Sequence, residues 1–395
     1  LVCVSSALRG FGQGLGDMLP TAAGQVTESA GKLVIGLALC LLLLKQNAAP
    51  ELCAAGAIGG VTAGAALGLL VTACLTARRC TLPEARDVPP RRRELLRQLL
   101  SVGVPITVGA AGMSLITLLD QALVTSTLRD TLGYSAAETS ALYGQYTFGM
   151  TLFQLPPSFI YPVSVSLMPA ITAALTRQDR AAAGRAVGGA LKLTTLAALP
   201  AGAGLSVLAE PILLLLYPAV PDTARAAAYH LTFLGLACVF VCLMVATNGV
   251  LQAYGRPGVP VFTLLCGGVM KIVTNYLMVG DPATGIRGAA VSTLYCYALI
   301  VVLNLIAIAR CVPERPGYIG LFARPLLLTA VMALAARSSY GLLAQVLPER
   351  WAVLPAILIA AAVYVLLALA TGTVTRQELL ALPKGEKIAQ MLRLR

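Results

Sequence analysis

Charge is scarce in this sequence. Charged residues make up 12% of the 395 positions and aromatic residues 6%, whereas hydrophobic residues make up 58%. The mean hydropathy is +0.82. These values exclude a soluble globular domain and predict a chain whose main solvent is lipid.

The sequence also lacks motifs that bind metals or carry out redox chemistry. His230 is the single histidine, and the ten cysteines form no C-x-x-C motif. The Gly-rich segment 10–14 lacks the Lys-Ser or Lys-Thr pair of a phosphate-binding loop, which argues against ATP hydrolysis by this chain. We therefore predict no enzyme and no cofactor. Any driving force must come from a coupling ion (H⁺ or Na⁺), the membrane potential or the substrate gradient.

Apolar stretches of membrane-spanning length recur along the whole chain. A helix that crosses a bilayer needs about 20 mostly apolar residues, and runs such as Leu37–Leu44 lack the alternation of a barrel strand. The sequence predicts an all-α polytopic membrane protein with about ten spans. They are Pro20–Leu44, Ala54–Ala77, Leu99–Leu128, Leu142–Ala173, Leu191–Tyr217, Leu231–Tyr254, Val259–Val279, Gly288–Ala309, Leu326–Val346 and Ala352–Thr371.

Basic residues concentrate in alternate loops. Arginines crowd the segment 78–97 and basic residues recur in the C-terminal tail, whereas opposite loops hold single charges such as Arg129 and Arg350. Basic loops stay in the cytoplasm. The sequence therefore predicts a multi-pass protein of the bacterial cytoplasmic membrane with a cytoplasmic C-terminus. We interpret the basic loop as a topology determinant, with binding of anionic lipid or a partner as the alternative.

The first residues have the pattern of a helix end. Leu1–Leu8 is apolar, and the predicted helix ends at Arg9-Gly10. No charged segment precedes an apolar one as in a signal peptide. We expect an N-terminally truncated chain that lacks upstream helices.

Small residues predict close packing of one span. Gly60, Gly64 and Gly68 recur at every fourth position and therefore lie on one helix face. Such a face permits close approach of a neighbouring helix.

Several short motifs follow one another in a characteristic order. They are Arg9–Gly14 with Met18–Ala22 and Gln25–Glu28, then Asp120, then Tyr143–Gln145 with Leu155–Pro157 and Ser166–Ile171, then Ala209–Ile212, then Asn248–Gln252 with Gly255–Pro257, and finally Lys271, Asn275-Tyr276 and Gly285–Ala290. Together they resemble the stage V sporulation protein B-like polysaccharide transporters. That family belongs to the multidrug/oligosaccharidyl-lipid/polysaccharide exporter superfamily.

The resemblance implies a two-lobe flippase- or exporter-type helix bundle. Fourteen helices would form two six-helix lobes and two accessory helices, with this chain beginning in an N-terminal helix remnant. Residues 1–80 would be the remainder of the N-terminal lobe and 81–98 the basic cytoplasmic linker. Residues 99–312 would be the C-terminal lobe, 313–375 the accessory helices and 376–395 a cytoplasmic tail.

Charged side chains inside spans are costly, so each is a candidate functional residue. Glu28 and Lys32 lie one turn apart and can neutralise each other; a packing pair and a substrate site are equally favoured. Asp120 is a candidate for binding H⁺ or Na⁺, or for capping a neighbouring helix. Arg337 lies mid-span in the penultimate helix. We expect a buried packing contact there, with the wall of a lipid-tail groove as the alternative.

Lys271 is the main candidate. It lies near the middle of Val259–Val279, with Asn275 one turn further along the same face. A cation there suits a lipid-linked glycan, whose head carries anionic phosphate. The alternative is a bond to a neighbouring carbonyl or carboxylate, and the two are evenly balanced.

These features predict a flippase or exporter that moves a lipid-linked oligosaccharide or polysaccharide precursor for the cell wall or spore cortex by alternating access. The rivals are an ion-coupled multidrug exporter of the same superfamily and an inactive remnant or membrane scaffold. Expected partners are membrane lipids, the lipid-linked glycan and cell-wall synthesis proteins, with no nucleic acid. Lys271 favours an anionic substrate over a cationic drug.

The predicted orientation is testable by thiol labelling in a background without native cysteines. Arg91→Cys should be protected from a membrane-impermeant reagent added to intact cells, because the basic loop stays inside. Asp222→Cys and Glu349→Cys should be labelled, because both positions lie on the predicted outer side. Labelling of position 91 from outside would reverse the orientation.

Overall fold

A computed structural model describes residues 1–15, 17, 19–79, 92–312 and 318–373. Within these residues the regular secondary structure is entirely α-helical, which confirms the predicted fold class. The helices are α1 (Val2–Gly14), α2 (Leu19–Lys45), α3 (Pro50–Arg79), α4 (Arg92–Asp130), α5 (Ala136–Phe153), α6 (Leu155–Thr176), α7 (Arg180–Val207), α8 (Ala209–Leu216), α9 (Pro221–Ala253), α10 (Gly258–Val279), α11 (Arg287–Cys311), α12 (Tyr318–Leu343) and α13 (Glu349–Ala370).

Length and composition identify membrane-spanning helices in the described part of the chain. Eight helices there are long and apolar enough to cross a bilayer, namely α2, α3, α7 and α9 to α13. This agrees with a multi-pass membrane protein. The predicted linker falls largely on residues 80–91, including Arg91, and the predicted tail on residues 374–395; both segments lie outside the described residues.

Three helix boundaries differ from the sequence-based expectation. Helix α1 does not end at Arg9 but continues to Gly14. The stretch expected as one span at Leu142–Ala173 is two helices that meet at Gln154, because prolines occupy the first positions of α6 and cannot donate the hydrogen bonds that would continue α5. The stretch Leu191–Tyr217 is likewise divided at Leu208 into α7 and α8.

Side-chain caps begin two of the helices. At the start of α5, Ser135 Oγ accepts a bond from the Glu138 amide at 3.3 Å, and Glu138 Oε2 accepts one from the Ser135 amide at 2.9 Å. At the start of α7, Asp179 Oδ1 accepts a bond from the Ala182 amide at 2.9 Å. These bonds satisfy amide groups that have no partner within the helix.

The chain divides into two compact units, and the first is Leu1–Arg92. In it α1 packs against α2 and α3, and α2 and α3 form the largest contact. A Cβ placed on Gly60 of α3 would lie 2.2 Å from the Cα of Gly36 on α2. A Cβ on Gly68 would lie 2.7 Å from the Cβ of Glu28. The predicted close helix approach at these glycines is confirmed.

The second unit, Arg93–Arg395, is built around α9. Helix α9 packs against α5, α6, α7, α8 and α11, and its most apolar window is 78% buried. Helix α10 packs on α11. The pair α12–α13 packs against α7 and α8, where Tyr364 Oη donates to the Leu196 carbonyl at 2.9 Å. Helices α4, α5, α10 and α11 contribute the side chains of the polar site described below.

Neighbouring glycines of α3 give a matched test of this packing. Gly60→Ala should lower the free energy of unfolding by about 1–3 kcal/mol, because its methyl group meets backbone of α2 that cannot rotate away. Gly59→Ala should be close to neutral, since its methyl group would make an ordinary 3.7 Å contact with Leu39. Chemical denaturation in detergent measures both. Equal effects of the two substitutions would contradict the close approach.

Candidate functional site

A buried ion pair joins two helices of the second unit. Lys271 Nζ on α10 lies 3.0 Å from Asp120 Oδ2 on α4, and the side chains are 6% and 4% exposed. Because the Asp120 carboxylate already binds the Lys271 ammonium, the two charges cancel. This is the alternative that the sequence left open for Lys271, a bond to a neighbouring carboxylate.

Neighbouring polar side chains complete the environment of Asp120. Asn275 Nδ2 donates to Asp120 Oδ1 at 2.7 Å, and Tyr146 Oη donates to Asp120 Oδ2 at 3.4 Å. Ser292 Oγ donates to Asn275 Oδ1. The hydroxyls of Tyr146 and Thr293 are 3.1 Å apart. The side chains of this Asp120 network come from α4, α5, α10 and α11; they are Asp120, Tyr146, Lys271, Asn275, Ser292 and Thr293.

Helical spacing and small residues position the network. Gly267, Lys271 and Asn275 recur at every fourth residue and share one face of α10. A Cβ on Gly267 would lie 2.4 Å from Ile300 Cγ1, so α10 and α11 approach closely at this point. The same closeness brings Asn275 within hydrogen-bonding distance of Ser292 at the start of α11.

The energetics favour treating the Asp120 network as one unit. Removing charges from water is costly, and the cost is recovered only when the pair is well placed and further hydrogen bonds satisfy the remaining groups. Here Asp120 receives bonds from an ammonium, an amide and a phenol. Removing one charge would leave the other buried without a partner, which typically costs about 3–5 kcal/mol.

His230 lies beside the network. Its ring meets the Tyr146 ring edge to face at 5.7 Å between centroids. The side chain is buried, and among the described residues its Nδ1 has no hydrogen-bond partner. Its burial and its contact with Tyr146 support a packing role for His230.

A second charge cluster lies in the first unit and contains more positive than negative side chains. Glu28 Oε2 is 2.7 Å from Arg9 Nη2, and Glu28 Oε1 is 2.8 Å from Lys32 Nζ. We call Arg9, Glu28 and Lys32 the Glu28 cluster; it holds two cations and one anion. Arg9 Nε has no hydrogen-bond partner in the described part of the chain, and the Lys32 side chain is 39% exposed.

Arg9 is the member of this cluster that the sequence analysis missed. The predicted helix end at Arg9-Gly10 placed Arg9 in a loop, whereas α1 carries it in a continuous helix. The pairing of Glu28 with Lys32 was predicted from their spacing and is confirmed. The available signal was that Arg9 is the only charged residue of α1.

Arg337 on α12 is exposed, so the expected buried packing contact is wrong. An apolar cavity of about 380 Å³ lies between α7, α8, α12 and α13. Met332 and Ala336 line it from α12 and Tyr364 from α13, and Arg337 is not among its lining residues. This apolar cavity therefore differs from the expected lipid-tail groove, which would have Arg337 in its wall.

Asn304 forms a further buried network that the sequence analysis did not single out. Its Nδ2 donates to Thr247 Oγ1 at 3.0 Å and to Asn248 Oδ1 at 2.8 Å. Its Oδ1 accepts a bond from Thr263 Oγ1 at 2.8 Å. The Asn304 amide therefore has partners for both its donor and its acceptor groups. These bonds link α9, α10 and α11, and none of the four side chains is charged.

Comparison with known proteins gives a family match over most of the chain. The family model described as "Lipid II flippase MurJ" matches residues 32–371. Three curated relatives come from Bacillus subtilis (strain 168). The uncharacterized membrane protein YabM is 28% identical over 98% of this chain and 73% of its own length. Stage V sporulation protein B is 24% identical and lipid II flippase MurJ 23% identical.

The last two relatives cover 79% and 78% of this chain, which spans only 60% and 58% of their lengths. These matches confirm the family resemblance predicted from the ordered motifs. Among solved structures, lipid II flippase MurJ in an inward closed conformation gives a TM-score of 0.66 at 15% identity, over 93% of this chain and 70% of that one.

An inward-facing multidrug resistance MATE family transporter of the MOP superfamily gives a TM-score of 0.59 at 18% identity, over 78% of this chain and 67% of that one. At these identities the structural matches establish the fold alone. They confirm the predicted flippase- or exporter-type helix bundle.

Proposed function

We propose, from the premise that this chain belongs to the lipid II flippase MurJ family, that it moves a lipid-linked oligosaccharide or polysaccharide precursor across the bacterial cytoplasmic membrane. The family is one of membrane transporters. The proposed mechanism is alternating access, and the proposed product serves the cell wall or the spore cortex. Relatives named lipid II flippase MurJ and stage V sporulation protein B support those two destinations.

The surplus positive charge of the Glu28 cluster carries the proposal. The cluster has a net charge of +1, and an uncompensated charge beside the membrane-spanning helix α2 is costly unless an anion balances it. Lipid-linked precursors bear phosphate where lipid and sugar join, and arginine and lysine bind phosphate through charge-assisted hydrogen bonds. Among the described residues the buried Arg9 Nε has no hydrogen-bond partner, and Lys32 is partly exposed. Glu28 holds both cations in place.

The Asp120 network has a different part in this proposal. Because Asp120 neutralises Lys271, a phosphate would have to displace that carboxylate before it could bind. We therefore assign Asp120, Lys271 and Asn275 to the positioning of α4, α5, α10 and α11. Head-group binding, expected at Lys271 from sequence, is assigned to Arg9 and Lys32.

The apolar cavity between α7, α8, α12 and α13 suits the lipid part of such a substrate. Its lining includes Pro200, Leu205, Met332 and Ile357, which offer a hydrocarbon chain an apolar surface. Arg337, next in sequence to the lining residue Ala336, is exposed and is not assigned to this cavity.

A multidrug exporter remains the second candidate because the fold is shared with MATE transporters. The charges of the described residues weigh against it. A site for cationic drugs would present surplus carboxylates, whereas Glu28 is outnumbered by its two basic partners. A scaffold role has no specific observation in its favour.

Translocation in reconstituted vesicles tests the proposal. Lys32→Gln should slow translocation of a fluorescent polyprenyl-diphosphate-linked oligosaccharide by about tenfold or more, since a hydrogen bond to a charged group is worth about 1.5–3 kcal/mol. Arg9→Gln should have a similar effect. Each substitution leaves Glu28 with one cation, so the cluster is neutral and the helices remain paired.

Lys45→Gln is the matched control, because Lys45 is an exposed lysine in the last turn of the same helix as Lys32. It should translocate at the wild-type rate. Wild-type rates for both Lys32→Gln and Arg9→Gln would remove the head-group site. A wild-type protein that exports a cationic dye and leaves the lipid-linked glycan in place would favour the drug exporter.

A further inference from the structure

Asp120 is buried among apolar side chains, where an ionised carboxylate requires a positive charge beside it. Its side chain is 4% exposed, and Ile116, Leu119 and Leu123 border the same site from α4. An ionised carboxylate in apolar surroundings is strongly unfavourable alone, so it must either take up a proton or hold a cation. From the sequence, H⁺ and Na⁺ were both candidates for this position.

Lys271 supplies the cation from within the chain. Its ammonium is 3.0 Å from Asp120 Oδ2 and carries the same charge as Na⁺. A dissolved cation at Asp120 would be repelled by this ammonium at close range in a medium of low dielectric constant. The residues at this position therefore do not fit a bound Na⁺ while Lys271 is present.

The surroundings would suit a small cation if the ammonium were removed. A cavity of about 20 Å³ already borders Asp120, Lys271 and Asn275, which is close to the volume that one water molecule needs. Carboxylate, amide and hydroxyl oxygens are the ligands that hard cations prefer. Asp120 and Tyr146 provide such oxygens, and truncation of Lys271 would enlarge the cavity beside them.

We propose that Lys271 is a built-in counter-cation that takes the place of a dissolved monovalent cation at Asp120. The wild-type chain needs no Na⁺ at this site, and no Na⁺ gradient acts through Asp120. Removing the Lys271 side chain turns the position into a Na⁺ site. This inference concerns the second unit by itself and does not depend on which substrate the protein moves.

Thermal unfolding of the purified chain in NaCl, KCl and choline chloride at equal ionic strength tests the inference. The wild type should have the same Tm in all three salts, because its cation is covalently attached. Lys271→Ala should have a lower Tm in choline chloride. NaCl should raise that Tm by a few degrees with a saturable concentration dependence, as expected for a ligand that binds only the folded state.

Two further measurements separate a specific site from a general salt effect. Asp120→Asn/Lys271→Ala contains neither charge of the pair and should unfold at the same temperature in all three salts. Propylammonium replaces the part of the side chain that Lys271→Ala removes and should raise the Tm of that variant. If Lys271→Ala does not fold, Lys271→Gln retains most of the volume without the charge and undergoes the same test.

Two results would overturn the inference. One is a Na⁺-specific rise in the Tm of the wild type. The other is an equal Tm in the three salts for the Lys271 single variant. Neither result bears on the vesicle assay of Lys32 and Arg9, so failure here is distinguishable from failure of the proposed function.

Discussion

A carboxylate buried in an apolar helix bundle needs a cation within bonding distance, and the second unit is organised around that requirement. Asp120 and Lys271 are each less than one-tenth exposed, so water contributes little to either charge. Their pairing sets the distance between α4 and α10. Tyr146 then adds α5, and Asn275 gives α10 a second bond to Asp120. Ser292 adds α11 by donating to Asn275, so each polar group brought inside has a partner.

The charge balance of the two clusters suggests a structural role for the Asp120 network and a binding role for the Glu28 cluster. In the Asp120 network one cation meets one anion and neighbouring side chains complete the hydrogen bonds, so an incoming anion gains little there. In the Glu28 cluster two cations share one anion, Arg9 Nε is unpartnered among the described residues and Lys32 is partly exposed. A negatively charged head group would complete this second arrangement. That comparison moves the proposed binding role from Lys271 to Arg9 and Lys32.

Sequence patterns predicted the helical class, most spans and the pairing of Glu28 with Lys32, because these depend on local composition and on spacing along one helix. Asp120, Lys271 and Asn275 were selected from the sequence as polar side chains inside predicted spans, and the structure places them in contact. Their mutual contact could not be predicted from local sequence patterns, since Asn275 and Asp120 are 155 positions apart. Pro156 and Pro157 signalled the division at Gln154, but the stretch Leu142–Ala173 was predicted as a single span. Arg9 was missed because α1 continues beyond the apolar pattern that defined it.

A double-mutant cycle on Asp120 and Lys271 tests the central claim, that these residues act as one neutral unit. Free energies of unfolding would be measured in detergent and in buffer free of alkali cations. Asp120→Asn and Lys271→Met should each cost about 3–5 kcal/mol, because each leaves one buried charge unpaired. Asp120→Asn/Lys271→Met should cost much less than the sum of the two, since no charge remains. Losses that simply add would show two independent residues and contradict the account.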